Sequence, residues 1–191
     1  MTRFNRITLA LLLPACLMLG AALPALAAKP HDINVSVLSP TRPTKTIKTR
    51  TVINAPPHVV WKTLTSYNNL KNIIPEYRRS TILANSGTTK TVDIGLKVSQ
   101  VLPTYNYQVR VNENQPQWTL NVNRISGDFS ELSALYKLVG MNNNKQTMLV
   151  YDLNINPGNN LPGAAAVIQN STRSQLTALQ THIERAYRQG Q

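Results

Sequence analysis

Residues 149–186, LVYDLNINPGNNLPGAAAVIQNSTRSQLTALQTHIERA, change their hydrophobic period once, and that change decides the fold. Leu149, Tyr151, Leu153 and Ile155 alternate with Val150, Asp152, Asn154 and Asn156, the period of two expected of a strand with one dry face. Pro157-Gly158-Asn159-Asn160 then breaks the strand. Beyond the break Ala165, Ile168, Thr172, Leu176, Leu179, Ile183 and Ala186 recur every three or four residues, the stripe of a helix with one buried face. From Pro162 to Arg188 such a helix runs about 40 Å. Arg185 and Arg188 in its last turn complement the helix dipole.

Working back from that point, the strand period repeats. Lys45–Asn54 is rich in the β-branched residues that a pleated surface favours. Tyr77–Ala84 is the weakest strand. In Thr91–Ser99 the residues Val92, Ile94, Leu96 and Val98 share a face. In Tyr105–Asn112 the inward set is Tyr105, Tyr107, Val109 and Val111; in Trp118–Arg124 it is Trp118, Leu120 and Val122; in Ser130–Leu138 it is Leu132, Ala134, Tyr136 and Leu138. Glu113-Asn114-Gln115-Pro116 and Asn142-Asn143-Asn144 suit hairpin turns. Ala55-Pro56-Pro57 opens a helix through Tyr67, with Val60 and Leu64 on one face, and Asn68 to Ile74 forms a second short helical segment that ends at Pro75. The expected architecture is α+β: a curved antiparallel sheet of six to seven strands wrapped around one long C-terminal helix, in a single domain over residues 45–188. A sheet curled around one helix leaves room for a hollow.

The N-terminus reads separately. Arg3 and Arg6 precede an uncharged apolar run from Ile7 to Leu26, and Ala25-Leu26-Ala27 is a small-x-small cleavage site. Residues 1–27 are therefore expected to be a signal peptide cut before Ala28, and residues 28–44, with Pro30, Pro40 and Pro43, an extended lead-in. The run is also long enough to span a bilayer, so an uncleaved anchor stays open. Cys16, after Leu13-Pro14-Ala15, only loosely resembles a lipoprotein box, because Pro14 is atypical and the apolar run continues past it. It is the single cysteine, so a mature chain has neither disulfides nor thiolate chemistry. Export to a bacterial periplasm is the expectation.

About 160 residues then remain, enough for one sizeable core. Losing Arg3 and Arg6 with the leader leaves an excess of ten positive charges. That excess favours anionic partners, a membrane face among them. The cations are scattered in small groups, Lys45/Lys48/Arg50, Arg78/Arg79 and Arg185/Arg188, without the basic-aromatic stripe of a nucleic-acid binder. A solvated surface on a monomer is the simpler reading, and no nucleic-acid partner is expected.

Thr51-Val52-Ile53-Asn54-Ala55-Pro56-Pro57, continuing through Val60-Trp61, Leu64, Tyr67, Leu70 and Pro75, resembles the opening of the START-like (SRPBCC) superfamily, in its polyketide cyclase and coenzyme Q-binding branch. Gly127-Asp128-Phe129 and the passage from Leu153 to Pro157 into Leu161-Pro162-Gly163 resemble it too. The order of elements over residues 45–188 carries the resemblance more than any short motif. It implies a helix-grip fold with a cavity between sheet and helix, and a hydrophobic ligand that is lipid-, quinone- or polyketide-like. Only some members are enzymes, so fold alone does not fix the activity.

The strand phases test the enzymatic alternative, since proton transfer needs a titratable group within reach of the substrate. Asp32, Glu76, Glu113 and Asp128 fall in the lead-in, loops, turns or strand entries; Asp93, Glu131 and Asp152 fall in outward phases; Glu184 lies toward the helix rim. No carboxylate is expected to point inward. His31 and His58 read as exposed, and His182 flanks the inward stripe of the helix. Neither a metal constellation nor a phosphate loop is visible, and no cofactor is expected. The inward set suits a ligand instead: Tyr105, Tyr107, Trp118, Tyr136 and Tyr151 carry apolar bodies with polar tips, and Leu120, Ile168, Thr172, Leu176 and Leu179 share their phases. Arg124 continues the phase of Trp118, Leu120 and Val122, where it would read an anionic or carbonyl group at the cavity mouth. Ile73-Ile74-Pro75 and Leu102-Pro103 are candidate gating loops. A hydrophobic-ligand binder is the favoured reading. A cyclase- or dehydratase-like enzyme using tyrosines, and an envelope accessory protein with a filled core, stay open.

N-terminal sequencing of the protein recovered from a periplasmic fraction is expected to begin at Ala28; recovery of an intact N-terminus from the membrane fraction would establish an anchor instead.

Overall fold

The computed structural model describes residues 33–158 and 163–190. The expected signal peptide, the position of Cys16 and the start of the terminal helix at Pro162 lie outside the described residues. Eight strands form one fully antiparallel sheet: β1 (Asn34–Val37), β2 (Lys45–Ile53), β3 (Tyr77–Ser86), β4 (Thr89–Leu96), β5 (Tyr105–Asn114), β6 (Thr119–Gly127), β7 (Glu131–Met141) and β8 (Gln146–Asn156). Their spatial order is β1-β2-β8-β7-β6-β5-β4-β3. Among the described residues three α-helices accompany them: α1 (Pro57–Leu64), α2 (Leu70–Ile73) and the long α3 (Ala164–Gln189).

The helix-grip architecture is as expected, with one more strand than the six or seven anticipated. The extra strand is β1, which falls inside the stretch read as a lead-in. Its side-chain pattern is too short to declare itself, and it is held from outside. Its backbone pairs with β2 on one side, Val35 opposite Thr49. On the other side α3 supplies partners: Gln169 Nε2 donates to the Val35 carbonyl at 2.6 Å and Arg173 Nε to the Ile33 carbonyl at 3.3 Å. A helix covering a strand's free carbonyls is one way to blunt a sheet edge.

The expected turn regions carry the residues their geometry needs. Asn142, Asn143 and Asn144 all adopt positive φ in the β7–β8 turn, which asparagine tolerates better than most residues. Gly127 closes the approach of β6 to β5: at φ +113 a Cβ there would lie 2.3 Å from the Asn106 carbonyl oxygen. The register of β6 slips by one residue between Gln108 and Val109, so Arg124, not Ile125, pairs with Val109 and Ile125 is left exposed.

The helix seats on one side of the sheet. Ile183 is fully buried, Gln180 Nε2 donates to the Val52 carbonyl at 3.0 Å, and Glu184 Oε1 accepts the Asn54 backbone N–H at 2.9 Å. These contacts pin the C-terminal half of α3 to the end of β2. The expected stripe is correct at Ile168, Thr172, Leu176, Leu179 and Ile183 but not at Ala186, which is exposed near the helix end. The buried face instead includes the polar Ser171 and Gln180.

Geometry then leaves a void. Eight strands at about 4.8 Å spacing make a sheet roughly 34 Å wide, whereas one helix with its side chains is about 10–12 Å across. Helix α1 and the segment through α2 cover another part, with Val60 fully buried and Trp61 packed edge-to-face on Trp118, ring centroids 5.6 Å apart. What remains between α3 and the concave face of β4–β8 is a cavity.

Replacing Ile183 by Ala removes the most buried contact of α3 and is expected to cost about 2–5 kcal/mol, read as a lower urea midpoint with an unchanged slope. A loss under about 0.5 kcal/mol would show that α3 is not seated through this side chain.

Candidate ligand cavity

The cavity has a volume of about 140 Å³. Its walls are built by the alternation that forms the sheet: every second residue of β4, β5, β7 and β8 points toward α3. Tyr105, Tyr107, Leu120, Tyr136 and Tyr151 line it from the sheet, and Ile168, Thr172, Leu176 and Leu179 line it from α3. Nine of the residues expected to face a ligand are thus brought together. Around them stand Val92, Ile94, Leu96 and Val98, while Ser171 and Gln175 add polar atoms on the helix side.

Two expected site residues lie elsewhere. Trp118 does not line the cavity. It adopts left-handed backbone geometry, φ +52, just before β6 begins, and its ring packs on Trp61. The strand phase breaks at that turn, so its ring joins the α1 contact. Arg124 keeps the inward phase, but pairing of β6 with β7 ends at Asn123. Its guanidinium folds back, and Nη2 donates to the Gly127 carbonyl at 3.0 Å, tying down the strand's own end.

Other wall residues carried weaker sequence signals. Tyr77 opens β3, whose pairing with β4 shifts twice and whose burial pattern does not alternate. Phe129 stacks on Tyr105, centroids 5.0 Å apart at 7°, and meets Tyr107 edge-on at 4.9 Å. Tyr67 reaches the cavity from the turn between α1 and α2, which Ser80 Oγ fixes by donating to the Tyr67 carbonyl at 2.6 Å. Ile73 and Ile74 are buried, and Ile74 lines the cavity, so neither forms an apolar membrane-facing tip. In the other candidate loop it is Val101 that is exposed.

The expectation that no carboxylate points inward is overturned at Glu113. Strand β5 continues two residues past its expected end at Asn112, so Glu113 extends the inward phase of Tyr105, Tyr107, Val109 and Val111. Its Oε1 accepts the hydroxyl proton of Tyr67 at 2.8 Å, and Lys90 Nζ lies 4.0 Å away. Glu113 therefore stands behind the wall and fixes Tyr67, which is on it. His182, by contrast, is exposed on α3. Among the described residues no three His, Cys, Asp or Glu side chains converge as metal ligands.

The phenols set the electrostatics. Burial pushes the Tyr67 hydroxyl far above the ordinary tyrosine range, and the hydrogen bond to Glu113 adds to the effect. Burial is also the largest cause of the upward shifts of Tyr77, Tyr107, Tyr136 and Tyr151, with neighbouring phenols reinforcing it. The wall is thus apolar, uncharged and tipped with hydroxyl groups. It can hold an apolar body and offer hydrogen bonds to a few polar atoms.

A curved antiparallel sheet gripping one long helix over such a cavity defines a START-like protein. The chain belongs to the family described as polyketide cyclase / dehydrase and lipid transport, whose model matches residues 53–178. Solved structures share the fold at low identity. The STAR-related lipid transfer protein from Xanthomonas axonopodis superposes with a TM-score of 0.68 at 16% identity, covering 80% of this chain and 93% of that one. The Zhui aromatase/cyclase from Streptomyces sp. R1128 gives 0.65 at 16%, covering 74% and 94%. A START superfamily protein from Mycobacterium smegmatis gives 0.65 at 13%, covering 74% and 98%. Comparison with curated proteins finds no match.

The tyrosine shifts fix the sign of an alkaline effect. The unfolded chain releases phenolic protons near pH 10, whereas the folded chain retains them, so stability is complete below about pH 10 and falls as pH rises beyond it. In a spectrophotometric titration Tyr67, Tyr77, Tyr107, Tyr136 and Tyr151 should ionise together with unfolding. Reversible ionisation of all phenols near pH 10, with native circular dichroism retained, would contradict the buried wall.

Proposed function

We propose that the protein is an exported carrier that holds a hydrophobic small molecule or lipid in the cavity between its sheet and α3, without transforming it. The observation that carries this reading is the cavity, about 140 Å³ and walled by apolar side chains and neutral phenols. An uncharged wall lowers the cost of desolvation for an apolar guest and rejects charged ones. The family's description, which includes lipid transport, is consistent with it. So is the lipid transfer named for the Xanthomonas axonopodis structure.

In this reading residues 1–27 direct the chain to the periplasm and are removed. The protein works as a monomer, and its positive surface draws it to anionic membrane faces where ligand exchange takes place. An accessory protein with a filled core is disfavoured, because the space under α3 is not filled by the protein's own atoms.

One observation favours a second reading, a cyclase- or dehydratase-like activity: the Glu113 carboxylate holds the hydroxyl of Tyr67 on the cavity wall at 2.8 Å. A phenol paired with a carboxylate is a group that general acid–base chemistry uses.

Native mass spectrometry of protein purified from its own periplasm should show a bound mass, and extraction should return a hydrophobic compound that reloads unchanged. Recovery of an altered compound after reloading would favour the enzyme, and protein that neither carries nor takes up an apolar molecule would overturn the carrier.

A further inference from the structure

Helix α3 carries two hydroxyls that its own backbone does not use. A serine or threonine inside a helix ordinarily turns its hydroxyl onto the carbonyl four residues back or out to water. Thr63 in α1 and Thr177 in α3 take the first course, donating to the Val59 and Arg173 carbonyls at 3.2 and 2.8 Å. Ser174 and Thr181 are exposed and take the second. Ser171 and Thr172 do neither. They are 7% and 4% exposed, and both line the cavity. Ser171 Oγ accepts Gln175 Nε2 at 2.8 Å, which leaves its own proton unspent among the described residues. Thr172 Oγ1 has no partner among the described residues, yet it is not sealed in as the unpartnered Thr49 and Thr51 hydroxyls are. Room is left beside it, and for a residue so deeply buried on the cavity wall that room is the cavity.

We propose that Ser171 and Thr172 receive the polar oxygen of a neutral, single-ring ligand whose ring lies against the aliphatic wall of β4 and β5. The inference rests on the reading of the cavity as a ligand site, and it names the side of the cavity that reads the ligand and the chemistry read there.

Ser171 and Gln175 stand one turn apart on the same helix face, with Thr172 beside them. The bond between them has a direction: the Gln175 amide donates to the Ser171 oxygen, which polarises the Ser171 O–H and strengthens it as a donor. A ligand oxygen that accepts this proton also meets Thr172, whose hydroxyl donates to a carbonyl or accepts from an alcohol. The chemistry shared by both is a neutral oxygen function. Charged groups are excluded, because the described residues lining the cavity include no Lys, Arg, His, Asp or Glu to neutralise them. On the sheet side Val92, Ile94, Val109 and Val111 offer a ring only aliphatic contact. A hydroxyl left unmatched in such an enclosure is costly, so an oxygen-bearing guest is held with its head toward α3. The size follows from the volume: a cavity of roughly 150 Å³ holds a benzene ring, and this one is about 140 Å³.

Calorimetric titration of the mature chain with benzyl alcohol, acetophenone and ethylbenzene, which are close in shape, tests the proposal. In the variant Ser171→Ala/Thr172→Val the affinity for the oxygen compounds, measured against that for ethylbenzene, is expected to fall about tenfold, the worth of two net hydrogen bonds. A fall for benzyl alcohol alone, or for acetophenone alone, still bears the site out and shows which oxygen it reads. Ratios that do not change in the variant overturn the proposal and leave the carrier reading standing. If the wild type binds none of the three, the cavity reading fails and this one with it. If the variant no longer binds ethylbenzene, nuclear Overhauser contacts of benzyl alcohol bound to the wild type decide. Contacts from its CH₂–O protons to the Thr172 methyl support the site, and contacts from those protons to the Val92 and Val109 methyls overturn it.

Discussion

The structure depends on a mismatch of widths. A sheet of eight strands cannot be covered by one helix, and α3 does not sit centrally. Gln180, Ile183 and Glu184 fasten its C-terminal half to the end of β2, while Gln169 and Arg173 satisfy the free carbonyls of β1. Those polar contacts have direction, whereas the apolar stripe alone would allow the helix to slide or roll. Fixing α3 to β1 and β2 holds it away from β4–β8, and the gap cannot close without breaking hydrogen bonds that are partly removed from water.

That fixed gap explains the choice of wall residues. Tyrosines reach further than leucines, so they narrow the gap with their rings, and the hydroxyl of Tyr67 bonds to Glu113. Phe129, inserted between Tyr105 and Tyr107, fills space from a strand entry in the same way. An interior packed solidly with aliphatic residues would be more stable but would hold nothing. The helix side follows the same rule: Ser171, Thr172 and Gln175 stand on a face that bare burial would have made apolar.

Where the sequence was legible, the reason was periodicity sustained over many residues. In β4, β5, β7 and β8 the alternation identified the inward residues, and in α3 the stripe from Ile168 to Ile183 did the same. Trp118 and Arg124 escaped because alternation fixes a face only where the sheet continues on both sides; one sits in a left-handed turn before β6, the other just past the last residue of β6 that pairs with β7. Glu113 shows the converse. An expected turn hid two further residues of β5, and with them a carboxylate on the inner face. β1 had only four residues in which to show a pattern, and Tyr77 opens a strand interrupted by register shifts.

The sequence by itself determined the element order, the inward phases of the long strands and the amphipathic face of the last helix, because these depend on local periods of two and 3.6 residues. It also determined that aromatic side chains with hydroxyl tips would face that helix. Only the tertiary structure decided that a void survives, which aromatic rings meet, and that Glu113 holds Tyr67. Those facts depend on where α3 is tied across the sheet, and the distance between side chains on separate strands is written in no single stretch of the chain.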